Sequence, residues 1–254
     1  MTRWRGWVLP IAAAALAELA VRVLDYRSDT LAMPSQVAAA GVEALAEGSL
    51  LHATVQTLAA GALGLIGGFG GGVLTGLVLG ASAVASRFLS GSIEILRPIP
   101  SVSLIPLMMM IFGFGYRMES ATVAFATYWP SLILTQSAVR NIDTRLIEVA
   151  RVIGLGPLQT AWKILLPAIA PNLVTALRLA IGIALIVTVT VEIVANPQGL
   201  GYSLMAAQET FRPDLMLATL VWVGLLGWGL NYGLLALQAR LFRHRADFAA
   251  QEST

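Results

Sequence analysis

Residues 148–167 read EVARVIGLGPLQTAWKILLP, a polar island in an otherwise oily chain. Glu148, Arg151 and Lys163 share it with a Gly154-Leu155-Gly156-Pro157 break. Just before the break, Leu146, Val149, Ala150 and Ile153 recur at the i, i+3, i+4, i+7 spacing of one helix face. Asp143 is placed to cap the start of that helix and Gly154 to end it. Pro157 suits the first turn of a second short helix with Leu158, Ala161, Trp162 and Leu165 as its apolar set. Pro167 and Pro171 read as closing that helix and opening an apolar span. The stretch 143–167 is thus predicted to be helix, turn, helix. Such a pair is too short to stand alone and amphipathic enough to need a cover, which could be a partner, its own bundle or a lipid surface.

The surroundings settle the class. Of 254 residues, 57% are hydrophobic and 12% charged, against about 25% charged in a soluble domain. Runs of roughly twenty apolar residues suffice to cross about 30 Å of hydrocarbon as helices. Six are read, at about Val8–Leu24, Ala53–Gly80, Phe88–Phe112, Glu119–Val139, Pro171–Val191 and Leu215–Gln238. The first has Arg3 and Arg5 ahead of it, as a signal peptide would. Glu18 and Arg22, four apart on one helix face, instead mark it as a retained span in which they pair. The expectation is an all-α polytopic membrane protein forming one transmembrane domain over 1–254.

With six spans both termini share a side. Arg3, Arg5, Arg87, Arg97, Arg140, Arg145, Arg151, Lys163, Arg240, Arg243 and Arg245 fall on it, against Arg27, Arg117 and Arg212 opposite, with Arg22 nearby. The positive-inside bias puts both termini and the polar island in the cytoplasm, with the chain in the cytoplasmic (inner) membrane. Neither the island nor the loop at Arg87 is large enough for an enzyme domain, so no catalytic residues are expected.

GGFGGG at 67–72 invites a nucleotide-binding reading, but a P-loop needs a lysine just after its glycines and the only lysine is Lys163. Gly64, Gly68, Gly72, Gly76 and Gly80 instead fall every four residues, a strip along which another helix backbone can approach closely. There is no cysteine, and His52 and His244 lie far apart, so no thiol chemistry and no metal centre is expected. No nucleic-acid partner is expected.

RPIPSVSLIP runs from Arg97 to Pro106, and three prolines cannot share one straight helix. One reading breaks the span at membrane depth, which makes Pro98, Pro100, Ser101 and Ser103 pathway candidates. The other has a helix to about Leu96, a turn and a shorter crossing. In VTVTVE at 187–192, Thr188 and Glu192 share a face of the fifth span. They either line a route or are structural, with the hydroxyl bonded to backbone and Glu192 meeting water at the outer end.

These residues resemble a family. Glu148-Val149-Ala150, then Gly154, then Ile164-Leu165-Leu166-Pro167 matches the Glu-Ala-Ala signature of membrane permease subunits of binding-protein-dependent ABC importers, with Val149 departing from alanine. RPIPSVSLIPL, IFGFG, ALRLAIGIAL, VEIV and GLGYSLMAAQETF resemble the nitrate, sulfonate, taurine and bicarbonate subgroup. MPSQ at 33–36 is similar to that group's Leu-Pro-Ser-Pro, with Met33 and Gln36 departing.

The resemblance extends over a core at about 49–245 and implies a type I importer permease fold and alternating access for a small, anionic solute. It implies a second copy of the chain, two ABC ATPase subunits that bind the ATP and magnesium, an extracytoplasmic solute-binding protein and the lipid bilayer as partners. Leu146, Glu148, Val149, Ala150, Arg151, Gly154, Leu158, Ile164 and Pro167 would form the coupling element docked on the ATPase. The competing readings are an ion-driven secondary transporter, which would need ionisable midplane sites, and a non-transporting membrane scaffold.

Overall fold

In the computed structural model the backbone is described for residues 5–23 and 32–241. Arg3, Arg27, Arg243 and Arg245, which contribute to the expected orientation, lie outside these residues, as does His244. Every regular element among the described residues is helical: α1 Arg5–Val23, α2 Pro34–Ala46, α3 Ser49–Ala81, α4 Ala83–Leu96, a 3₁₀ turn Ser101–Leu104, α5 Ile105–Phe112, α6 Tyr116–Arg140, α7 Thr144–Val152, α8 Pro157–Thr160, a π turn Ala161–Leu165, α9 Leu166–Val194, α10 Gly199–Glu209 and α11 Pro213–Leu241.

Three runs, Ser49–Ala81, Pro157–Val194 and Pro213–Arg240, are long and apolar enough to cross a membrane, and α4 with Ser101–Phe112 makes a fourth, bent by 81°. At 1.5 Å per residue α1 and α6 extend about 28 and about 37 Å, so the chain has the lengths for the six crossings read from its sequence. Composition alone does not single out α6, because it buries Glu119, Thr122, Thr127, Ser131 and Thr135. Three of these hydroxyls bond within their own helix: Thr122 donates to the Met118 carbonyl at 2.9 Å, Thr127 to Val123 at 2.9 Å and Ser131 to Thr127 at 2.6 Å.

α6 is central, packed mainly against α3 and α9. Along α3 the glycine strip faces it directly. A Cβ on Gly64 would lie 2.5 Å from the Val123 Cβ, on Gly72 2.5 Å from the Tyr128 carbonyl, on Gly76 2.6 Å from the Leu132 carbonyl and on Gly80 2.5 Å from the Val139 Cβ; at Gly68 the Cβ would run into Thr127 and the Ala124 backbone. Side chains are absent there because backbone meets backbone, the close approach by which helices associate where no hydrophobic driving force acts.

Two helices had no counterpart among the expected spans. α2 buries Ala40 and Ala44, and α10 buries Leu200 beside Ala44, Leu50 and Ala53, closing a small core with Leu215, Trp222 and Leu226 of α11. One boundary is also corrected. Pro167 and Pro171 do not separate a short helix from the fifth span; Pro157 to Val194 is one continuous run. The π turn, in which the Leu166 amide reaches back to the Ala161 carbonyl, widens the ladder ahead of Pro167 and gives its ring room, and Pro171 follows inside α9.

Candidate functional site

The polar island folds as two helical pieces hinged at Gly154. The Arg145 amide donates to Asp143 Oδ1 at 2.9 Å, which starts α7. Gly154 at φ 73° ends it, and the Leu155 amide returns to the Ala150 carbonyl at 2.9 Å. Pro157 takes the first turn of α8. Leu165 anchors this second piece against Ala138, Val139 and Ile169 at the end of α6 and the start of α9. Ala150 is buried, whereas Leu146, Val149, Val152, Ile153, Leu158 and Trp162 stay exposed, Leu158 at 72% and Trp162 at 66%. Glu148 and Lys163 are exposed among them, Ile164 is half-buried and Pro167 exposed. The Arg151 side chain lies outside the described residues. An isolated protein does not leave this many large apolar side chains on two adjoining helical turns without a partner or lipid against them.

The proline-rich segment breaks its span as a helix to Leu96, a turn, and a short second helix. Pro98 borders a cleft of about 570 Å³ between α4 and α6, lined also by Ser86, Ser90, Glu94, Gln136 and Arg140. Ser101 borders a second cleft, of about 420 Å³, against Phe125, Trp129 and Pro130 of α6 and Ile183 of α9. Pro100 and Ser103 are exposed at the same bend.

The polar face of the fifth span turns toward α3. Thr188 is buried opposite Gly61, whose Cβ would lie 3.0 Å from its hydroxyl, on the wall of a cleft of about 150 Å³. Its hydroxyl has no hydrogen-bond partner, so the expected bond to a backbone carbonyl is not formed. One turn on, Glu192 is 2% exposed and so does not meet water at an outer end. Its carboxyl takes the Thr57 hydroxyl at 2.7 Å and the Gly201 amide at 2.8 Å. Thr57 also accepts the Leu200 amide at 2.9 Å, and Gln56 Oε1 accepts the Gly199 amide at 3.0 Å. The first three amides of α10, which no intrahelical carbonyl can satisfy, are thus all held by side chains of α3 and α9.

Glu119, at the head of α6 and 1% exposed, faces the same cluster beside Glu192 and accepts Asn196 Nδ2 at 2.7 Å. Neither Glu119 nor Asn196 stands out in the sequence as a site residue; the one available signal is a carboxylate at the very start of an apolar run. No group of three or more His, Cys, Asp or Glu able to hold a metal occurs among the described residues.

The model of a family described as binding-protein-dependent transport system inner membrane component matches residues 68–246. A putative aliphatic sulfonates transport permease protein of Bacillus subtilis (strain 168) is 26% identical over 96% of this chain and 88% of its own. The taurine transport system permease protein of Escherichia coli (strain K12) is 29% identical over 67% of this chain and 62% of its own. Among solved structures, an inward-facing form of a methionine ABC transporter superposes with a TM-score of 0.66 at 24% identity, over 74% of this chain and 94% of that one, a likeness of fold.

Proposed function

The chain belongs to the family of binding-protein-dependent transport system inner membrane components, and from that premise we propose that two copies of it form the membrane path of an ATP-driven importer for a small anionic solute, with both termini in the cytoplasm. The observation that carries this reading is the helix pair around Gly154, whose exposed Leu146, Val149, Ile153, Leu158 and Trp162 make an apolar face rimmed by Glu148 and Lys163. Such a face suits the cleft of a separate ATPase subunit, with the apolar residues as buried contact and the charges setting register.

ATP and magnesium bind that subunit. Its closure draws the two helix pairs together, the path opens outward to receive solute from an extracytoplasmic binding protein, and hydrolysis returns it. The pair can transmit the movement because Leu165 ties it to both α6 and α9, so a shift at the surface reaches the two helices that line the clefts. An anionic cargo is supported by the names of the relatives, which concern sulfonates and taurine. Nitrate and aromatic acids belong to the same chemical range.

The test is to express the chain alone and with the ATPase encoded beside it. Copurification, and ATPase activity stimulated by a loaded binding protein only when all components are present, supports the reading. Uptake into vesicles by the chain alone, driven by an ion gradient, overturns it in favour of a secondary transporter.

A further inference from the structure

Arg97 stands at the bend of the broken span, the residue that closes α4 before Pro98. It lines both clefts described above, and Ile133 of α6 is the other residue common to the two. Among the described residues its guanidinium has no hydrogen bond and no ion pair. Arg140 differs, since its guanidinium is held by the Ser86 hydroxyl, to which Gln136 also donates at 3.1 Å.

The level at which Arg97 sits makes this notable. It lines the second cleft with Pro130 and Ile133, which precede the terminal Arg140 of α6 by ten and seven residues, or about 15 and about 10 Å of helix. A cation that far from the helix end, in no ion pair, is costly unless water or an anion reaches it, and such residues mark ion and solute routes. The charges around it agree. The α4 side holds Arg97 and Arg140 against the single carboxylate Glu94. On the α9 side Arg97 is the only charged residue among the described residues of the wall, which also holds the Ser101 hydroxyl.

We infer that Arg97 and Ser101 form a transient subsite for a small oxyanion at the bend, where the solute passes from the α9-side cleft to the α4-side cleft. This rests on the proposed import of an anion, and it goes further in naming the residue that carries the charge through the membrane. A lone guanidinium with one hydroxyl suits the task because a carrier's internal site must hold the ion weakly enough to release it. The bend supplies the position: a continuous helix through 97–106 would leave Arg97 on a helix flank, whereas the turn at Pro98 sets it between two openings.

The chain has no cysteine, so a single Ser101→Cys substitution reports this place without background. The full chain in phosphatidylcholine nanodiscs is treated with methanethiosulfonate reagents carrying a sulfonate, a trimethylammonium or no charge. The sulfonate reagent should react faster than the ammonium reagent by about tenfold more in the Arg97 parent than with Arg97→Gln added, the scale on which a local field alters encounter rates. Arg97→Lys should preserve most of that preference, and the neutral reagent should react equally in all three, which shows the fold intact. Ethanesulfonate, at constant ionic strength, should slow the reaction only where Arg97 is present.

An unchanged charge preference in Arg97→Gln overturns the inference, as does a thiol closed to every reagent. Charge preference without protection by ethanesulfonate also overturns it, since that is a field with no site. Loss of the preference in phosphatidylglycerol nanodiscs, again without protection, assigns the guanidinium to lipid headgroups. No ATPase or binding protein enters this experiment, so its failure stays separable from a failure of copurification.

Discussion

Thr57 donates its hydroxyl to Glu192 at 2.7 Å while accepting the Leu200 amide at 2.9 Å, so one small side chain of α3 joins α9 to the start of α10. Replacing it by valine leaves the buried Leu200 amide without an acceptor and takes from the buried Glu192 carboxyl one of its two donors, the Gly201 amide remaining, at a cost of about 1–3 kcal/mol. Thr57→Val should therefore lower the melting temperature of the detergent-solubilised protein, and Thr57→Ser should restore it. Glu192→Leu should be worse than Glu192→Gln, whose amide oxygen can still accept the Gly201 amide. Transport by Glu192→Gln should fall with protein level rather than through a changed KM, because the side chain is enclosed. Wild-type stability in both Thr57→Val and Glu192→Leu would contradict this role.

The α3–α6 contact predicts a contrast between neighbouring glycines. Gly72→Ala places a methyl 2.5 Å from the Tyr128 carbonyl, a backbone atom that cannot swing aside. Gly70 has nothing within 4 Å of its Cβ position, so Gly70→Ala adds helix propensity worth up to about 1 kcal/mol with no clash. Membrane extracts should contain little folded Gly72→Ala and normal or raised amounts of Gly70→Ala. Equal expression of the two would disprove close packing along the strip.

Gly154 tests the coupling proposal. Its Cβ position is open, with no atom within 4 Å, so any harm from a side chain comes from the left-handed backbone at φ 73° and not from collision. Gly154→Asp, which also adds a charge, and Gly154→Val, which tolerates this φ poorly at a cost of about 1 kcal/mol or more, should leave insertion and dimer formation near normal while uncoupling uptake from ATP hydrolysis. Gly154→Asn should retain much of the activity, because asparagine adopts this conformation most readily after glycine. Leu146→Ala should give a milder defect, removing apolar contact worth about 2 kcal/mol if fully covered. Full uptake by Gly154→Asp would remove the stretch from the coupling role.

Between α9 and α11, Arg178 Nε donates to Asn231 Oδ1 at 2.7 Å. Bonds to a charged donor are worth about 1.5–3 kcal/mol, and in a membrane helix the freed guanidinium has few other acceptors. Asn231→Leu should loosen α11 and raise its susceptibility to protease in detergent micelles, whereas Asn231→Asp should not. The same protection in Asn231→Leu as in the parent would show that packing alone holds α11.

The sequence by itself determined the class, the approximate apolar runs and the form of the helix pair around Gly154, since each rests on local pattern. Twenty-residue apolar runs need no knowledge of their neighbours. Gly154 and Pro157 mark a helix end and a helix start through their own backbone preferences, and a glycine every fourth residue lines up on any helix.

What only the tertiary structure decided depends on groups far apart in the chain. α10 starts at Gly199 because Gln56, Thr57 and Glu192 receive its first amides, the first two of them 143 residues away, and no propensity within GLGYSLMAAQE announces that. The same bonds turn Glu192 inward, where its sequence context allowed either an open route or water. The two prolines that looked like a boundary lie inside one helix because a π turn, packed through Leu165 on the end of α6, makes room for the first. In the sequence Arg97 is one more positive charge among the loops; the 81° bend behind it and the wall of α6 beside it place that charge between two clefts. Backbone preference is local, and so can be read from sequence, whereas the satisfaction of a buried polar group depends on whichever distant residue the fold brings to it.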